Sequence, residues 1–101
     1  MPLVIRPEAL RDLANVWSYT AKAWGTEQAD IYIGEINDCM NKLLDFPEMG
    51  GRVDGLPSEY RKFPARSHRV IYRVSEADLI VVRVVHKRED MPDDPDGDGE
   101  E

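Results

Sequence analysis

The chain has 101 residues, 42% of them hydrophobic, and its 20 acidic against 13 basic side chains give a formal net charge of −7. That length predicts one domain with one core and excludes a multidomain architecture. The longest uninterrupted apolar run, Leu79 to Val82, is four residues, which excludes a helix spanning a membrane.

Leu3 to Arg6 form a short β-like run that Pro7 ends. Leu10, Leu13, Val16, Trp17, Thr20 and Trp24 then recur at steps of three and four, which places them on one face of a helix over 8–24. Pro7 suits the helix start because the amide it lacks would be unpaired there. Glu8 and Asp12 add negative charge where the helix dipole favours it. Gly25 ends this helix, and Thr26 reads as the N-cap of a second one over 26–46. Ala29, Tyr32, Ile33, Ile36, Met40, Leu43 and Leu44 keep its helical spacing until Pro47. So short a connection makes the two helices a hairpin.

Residues 47–57 hold Pro47 and Pro57 with Gly50, Gly51 and Gly55, and read as a loop. Beyond it the period changes to two. Tyr60 to Phe63 is a weak strand, with Pro64 marking an edge or bulge. His68 to Val74 puts Val70, Tyr72 and Val74 on one face and Arg69, Ile71 and Arg73 on the other. Ser75 to Asp78 is a hairpin turn, and Leu79 to His86 is the central strand. The class is α+β in the order β-α-α-β-β-β. A helical hairpin covers one face of a small antiparallel sheet, and the N-terminal strand joins its edge or middle. The opposite face is where Arg69, Arg73 and Arg83 are expected to collect.

The domain is expected over 1–90 and an acidic, disordered tail over 91–101. Residues 89–101 hold eight acids and no base, so residues 1–88 carry 12 acids against 13 bases. Within that body, residues 1–51 have net −4 and residues 52–88 net +5. Such asymmetry points to a binding surface for something negative. The lone Cys39 cannot close an internal disulfide, and no secretory signal is apparent. Both fit a cytoplasmic location.

Catalytic spacings are missing. There is no phosphate-cradling glycine loop, no pair of zinc-ligand cysteines and no nucleophile elbow, so no catalytic, cofactor or metal residue is assigned. His68 and His86 fall at strand ends, and Cys39 reads as a small core residue. The basic residues of the second half are the candidate site. Arg61, Arg66, Arg69, Arg73, Arg83 and Arg88, with His86, are assigned to binding a negatively charged partner. A nucleic acid or an acidic protein segment would each suit them.

The run Asp12-Leu13-Ala14-Asn15-Val16-Trp17-Ser18-Tyr19, then Trp24-Gly25-Thr26-Glu27-Gln28-Ala29 and Tyr32, resembles the opening of ParE-type toxins. Phe46-Pro47-Glu48-Met49-Gly50, Tyr60-Arg61, His68 to Arg73 and Arg83-Val84-Val85-His86 continue the likeness, which covers nearly all of residues 3–91. The resemblance implies the RelE/ParE fold, a helical hairpin on a small antiparallel sheet. It also implies the toxin of a bacterial toxin–antitoxin pair that inhibits DNA gyrase and is neutralised by a ParD-like ribbon-helix-helix antitoxin. DNA would be met only through antitoxin or gyrase, and no membrane is involved.

The RelE branch of the same superfamily offers an alternative, ribosome-dependent messenger RNA cleavage. That chemistry needs basic residues on the phosphate and a general acid or base. Arg69 and Arg88 resemble basic positions of that branch, with Arg61 and Lys62 near two others. Its C-terminal tyrosine has no counterpart here: no tyrosine follows Tyr72, and the position falls near Asp94. His86 is the substitute available. An inactive relative that only binds antitoxin is the third reading.

Overall fold

The computed structural model describes residues 1–88; the acidic segment expected over 91–101 lies outside them. In chain order the elements are β1 (Leu3–Ile5), α1 (Pro7–Trp24), α2 (Thr26–Asp45), β2 (Gly51–Arg52), β3 (Tyr60–Ala65), β4 (His68–Val74) and β5 (Leu79–His86). The strands form one sheet in the order β1-β5-β4-β3-β2. The expected α+β hairpin-on-sheet is thus the fold, with a short strand β2 in what reads as loop sequence. The sheet is antiparallel except at one edge, where β1 runs parallel to β5 with Leu3 opposite Leu79 and Ile5 opposite Val81.

Gly25 makes the helical hairpin possible. Its φ of 97° lies where a side chain would strain the backbone. Its N–H donates to Ala21 O at 2.9 Å and its carbonyl accepts from Ala29 N–H at 3.1 Å. One residue therefore closes α1 and caps α2, and Thr26 opens the second helix instead of capping it. Farther along, the Trp17 indole N–H donates to Asp30 Oδ1 at 2.8 Å, tying the two helices through a half-buried ring.

The main core lies between hairpin and sheet. Ala9 and Val16 from α1, Ile36, Met40 and Leu43 from α2, and Val70, Tyr72, Leu79, Val81 and Val84 from the sheet form one cluster. Burying side chains such as Ile36 or Leu43 completely contributes about 1.5–3 kcal/mol each. Ile71, Val82 and Val85 form a second cluster, with Tyr60 and Ile80 against it. Period two puts this set on the opposite sheet face, where Arg69 and Arg73 also stand. A register shift interrupts the β4–β5 ladder between Ile71 and Tyr72, since Ile71 faces Arg83 and Tyr72 faces Val81. β5 thus carries one extra residue, Val82, immediately before Arg83.

Strand β3 continues through Pro64, which faces Arg69. β2 covers only Arg61 and Lys62 of β3. Pro64 is therefore on an open edge, where its missing N–H leaves no ladder partner unsatisfied.

The loop after α2 is closed from beneath. The Tyr72 hydroxyl donates to Pro47 O at 2.8 Å and accepts from Gly50 N–H at 3.0 Å. The Arg61 guanidinium donates to Gly50 O at 2.7 Å and more weakly to Glu48 O at 3.4 Å. A Cβ on Gly50 would stand 2.6 Å from the Tyr72 hydroxyl and 2.8 Å from Lys62 O, so only glycine lets the backbone come this close.

Candidate functional site

Asp12, Val16, Thr20 and Trp24 follow one another at steps of four and so form a single stripe along α1. Asn15 and Tyr19 lie in the adjacent row, and Gln28 and Tyr32 form the equivalent pair on α2. Together with Ser67, His68, Arg83, Val84 and His86 from the end of the sheet, these rows line an open groove of about 800 Å³. Thr20 turns its hydroxyl back to Val16 O at 2.8 Å. Tyr19 and Trp24 stand at the rim, 74% and 75% exposed. Large aromatic side chains left this open are what binding surfaces use as anchors.

The polar wall is organised around two histidines. His68 and His86 are cross-strand neighbours, with ring centroids 5.2 Å apart in an edge-on arrangement. Tyr32 packs edge-on against His68. Its hydroxyl accepts from Ser67 N–H at 3.0 Å and bonds His68 Nδ1 at 2.8 Å. The Ser67 amide donates to the oxygen, and the direction of the bond to Nδ1 follows the His68 tautomer. His86 accepts at its own Nδ1 from Arg88 N–H at 3.1 Å.

One end of the groove is closed by an ion pair. Asp12 takes Arg83 Nε at 2.7 Å and a terminal nitrogen at 3.0 Å, and also accepts Val84 N–H at 2.9 Å. Arg83 thus leaves the open sheet face expected for it and turns to the helix side, beside the extra residue of β5. The other assigned arginines separate. Arg61 is held under the loop at the far end of the sheet. Arg66 occupies the β3–β4 turn with φ of 61° and pairs with Glu35 of α2 at 3.1 Å across an exposed surface. Arg69 and Arg73 stand four residues apart on the face of β4 turned away from the helices, both half-buried beside the Ile71, Val82 and Val85 cluster. Arg88 follows the last strand beside His86. The basic half is therefore spread over several surfaces, and only Arg83, His86 and Arg88 belong to the groove or its end.

Periodicity did not single out Asp12, Ser67 or Tyr32 for the groove. The available signal was the α1 stripe itself: a core-facing row does not ordinarily contain Asp12 and end in an open Trp24. Among the described residues no group of three metal-ligating side chains is placed to hold an ion, and no helix is long and apolar enough to cross a membrane.

Residues 3–91 match the family described as ParE toxin of type II toxin–antitoxin system, parDE. The chain belongs to the ParE toxin family. Toxin ParE1 of Mycobacterium tuberculosis is 35% identical over 89 residues, covering 87% of this chain and 91% of that protein. Toxin ParE1 of Caulobacter vibrioides is 33% identical over 86 residues, covering 85% and 88%. A solved structure titled as the chromosomal ParDE TA system from P. aeruginosa superposes with a TM-score of 0.76 at 19% identity, covering 85% of this chain and 95% of that one. At that identity the likeness concerns the fold, and it is the ParE fold that the hairpin and five-stranded sheet form here. The groove between them is accordingly a surface of a bacterial ParE-type toxin.

Proposed function

We propose that this ParE-type toxin acts by binding and not by catalysis: it inhibits DNA gyrase, and a ParD-like ribbon-helix-helix antitoxin neutralises it in a hetero-oligomeric complex. The observation that supports the antitoxin half is the groove. An antitoxin segment with apolar anchors and carboxylates would meet Tyr19 and Trp24 with the first, and the His86 and Arg88 end of the groove with the second. Arg69, Arg73 and Arg66 lie where the continuing segment, or the target, would cross the sheet and the edge of α2. Arg61 contributes by holding its loop. Membership of the ParE family supports gyrase as the target.

The experiment is expression without antitoxin, followed by assay of the purified toxin on gyrase. DNA breakage with induction of the damage response, and loss of supercoiling activity in vitro, are the expected results. Ribosome-dependent cuts in messenger RNA, abolished by Arg69→Ala or Arg88→Ala, would replace this reading with the nuclease one. For the antitoxin, charge reversal at Arg69 and Arg73 together is expected to weaken the complex. The loss is a few kcal/mol if the pairs are desolvated and less than about 1 kcal/mol if they are exposed. Unchanged affinity at low salt would remove both from the interface.

A further inference from the structure

The two ends of β4 carry different surfaces. His68 opens the groove described above, and Val74, six residues on, borders a second cavity of about 820 Å³. At roughly 3.3 Å per residue these lie about 20 Å apart. The second cavity is bounded by the loop after α2, and Phe46 and Met49 project from that loop 60% and 38% exposed. Asp45, Glu48 and Glu59 stand around them.

Exposed apolar side chains on a loose loop would fold onto the nearest apolar surface. These are prevented from doing so. The loop backbone is fastened at Pro47 O and Gly50 N–H by the Tyr72 hydroxyl and at Gly50 O by Arg61, and Gly50 leaves no room for adjustment. A surface fixed in advance loses little conformational freedom when a partner binds. Arg61 and Met1, with its terminal amine, also line this cavity, but the Arg61 guanidinium is turned into the loop carbonyls. Asp45, Glu48 and Glu59 outnumber these two cations, so the rim remains negative.

We propose that the Phe46–Met49 loop is a second docking surface, for a protein segment in which an apolar anchor is flanked by lysine or arginine. The anchor enters beside Phe46 and Met49, and the flanking cations meet Asp45, Glu48 and Glu59. Electrostatic complementarity of this kind selects the partner and excludes acidic segments. Because the surface is a strand-length away from the Tyr19–Trp24 groove, its partner can bind while that groove is filled. The inference does not depend on gyrase being the target.

The test is a titration of the ¹⁵N-labelled full chain with a 12-residue amphipathic peptide of leucine and lysine, and with its leucine and glutamate counterpart. The expected result is amide shifts centred on Phe46, Met49, Ser58 and Glu59 with the lysine peptide, fading with salt, and none with the glutamate peptide. Phe46→Ser and Glu59→Lys, both at exposed positions, are each expected to weaken binding about tenfold while leaving the rest of the spectrum in place. Shifts confined to residues 89–101 or to the Tyr19–Trp24 groove would overturn the proposal. So would binding unaffected by Phe46→Ser, the absence of any shift, or concentration-dependent shifts without peptide, which would assign the surface to a second copy of this chain.

Discussion

Asp12 and Arg83, 71 residues apart, are joined through both carboxylate oxygens, and one of those oxygens also takes the amide of Val84. This arrangement fastens α1 to β5 at the mouth of the groove. The side chains are 14% and 26% exposed. The pair therefore stands between surface bridges, which contribute less than about 1 kcal/mol, and buried ones, whose rupture costs about 3–5 kcal/mol. Asp12→Ala is expected to destabilise the fold by about 2–3 kcal/mol in urea unfolding. Adding Arg83→Met should recover part of the loss, since no guanidinium lacking its carboxylate partner then remains. Additive losses in the double variant would show that the two do not act as a pair.

Tyr72→Phe leaves Pro47 O and Gly50 N–H without their partner. The expected cost is about 1–3 kcal/mol near neutral pH. The dependence on pH has a definite sign. Burial pushes the Tyr72 hydroxyl above its ordinary value of 10.0, against smaller opposing effects of its bond to Gly50 and of Arg61. In alkali the folded state then holds a proton that the unfolded chain releases. Tyr72's contribution is complete below about pH 10 and declines as pH rises beyond it. The stability gap between wild type and Tyr72→Phe should narrow as pH rises above about 10 by urea titration; a widening gap would contradict the assignment.

Two glycines should respond oppositely to alanine. Gly34 lies inside α2 with nothing within 4 Å of an added Cβ, and Gly34→Ala is expected to stabilise by about 0.5–1 kcal/mol. At Gly50 the same methyl meets Tyr72 and the Lys62 carbonyl. Gly50→Ala should cost about 1–3 kcal/mol by overpacking. Thermal melts of the two variants beside wild type would decide both.

Cys39 is partly buried against the core. Burial pushes its thiol above 9.0, with Lys42 drawing it down and Asp38 and Glu35 adding to the rise. Little thiolate forms near neutral pH, and the thiolate is the reactive species. Disulfide-exchange reagents at pH 7.5 should modify native Cys39 more slowly than the urea-unfolded chain; equal rates would place it on an open surface.

The rim aromatics should separate binding from folding. Trp24→Ala and Tyr19→Ala remove exposed side chains, and their effect on stability is expected within about 0.5 kcal/mol. Capture of a ParD-like antitoxin should fall by about tenfold or more for the anchor residue. Unfolding curves and calorimetric titrations on the same samples would distinguish the two effects.

The helices and long strands were readable because their periods are properties of neighbouring residues. The change from steps of three and four to alternation after Pro57 marks the passage from hairpin to sheet, and Val70, Tyr72 and Val74 do share the face turned to the helices. Strand β2 was not readable, since two residues within a glycine-rich loop have no period. Thr26 has the right chemistry for a cap, but a one-residue connection needs positive φ, which gives that place to Gly25. Arg83 was grouped with Arg69 and Arg73 on the opposite face, whereas alternation from core-facing Leu79 and Val81 already turns it to the helix side, where Asp12 holds it. The groove was the least legible part. Tyr32 with His68 and Asp12 with Arg83 are partners that only the folded chain brings together.

The parallel pairing of β1 with β5 has a consequence for synthesis. The first strand made can complete its edge only when the last of the described strands has emerged, and β5 is also the element that joins β1 to the rest of the sheet. A polypeptide truncated before Leu79 lacks the support of its own N-terminus, one histidine of the groove and the arginine that Asp12 holds. A nascent chain cut short there therefore completes neither the β1 edge nor the groove. Both features are deferred until the last of the described strands has been made.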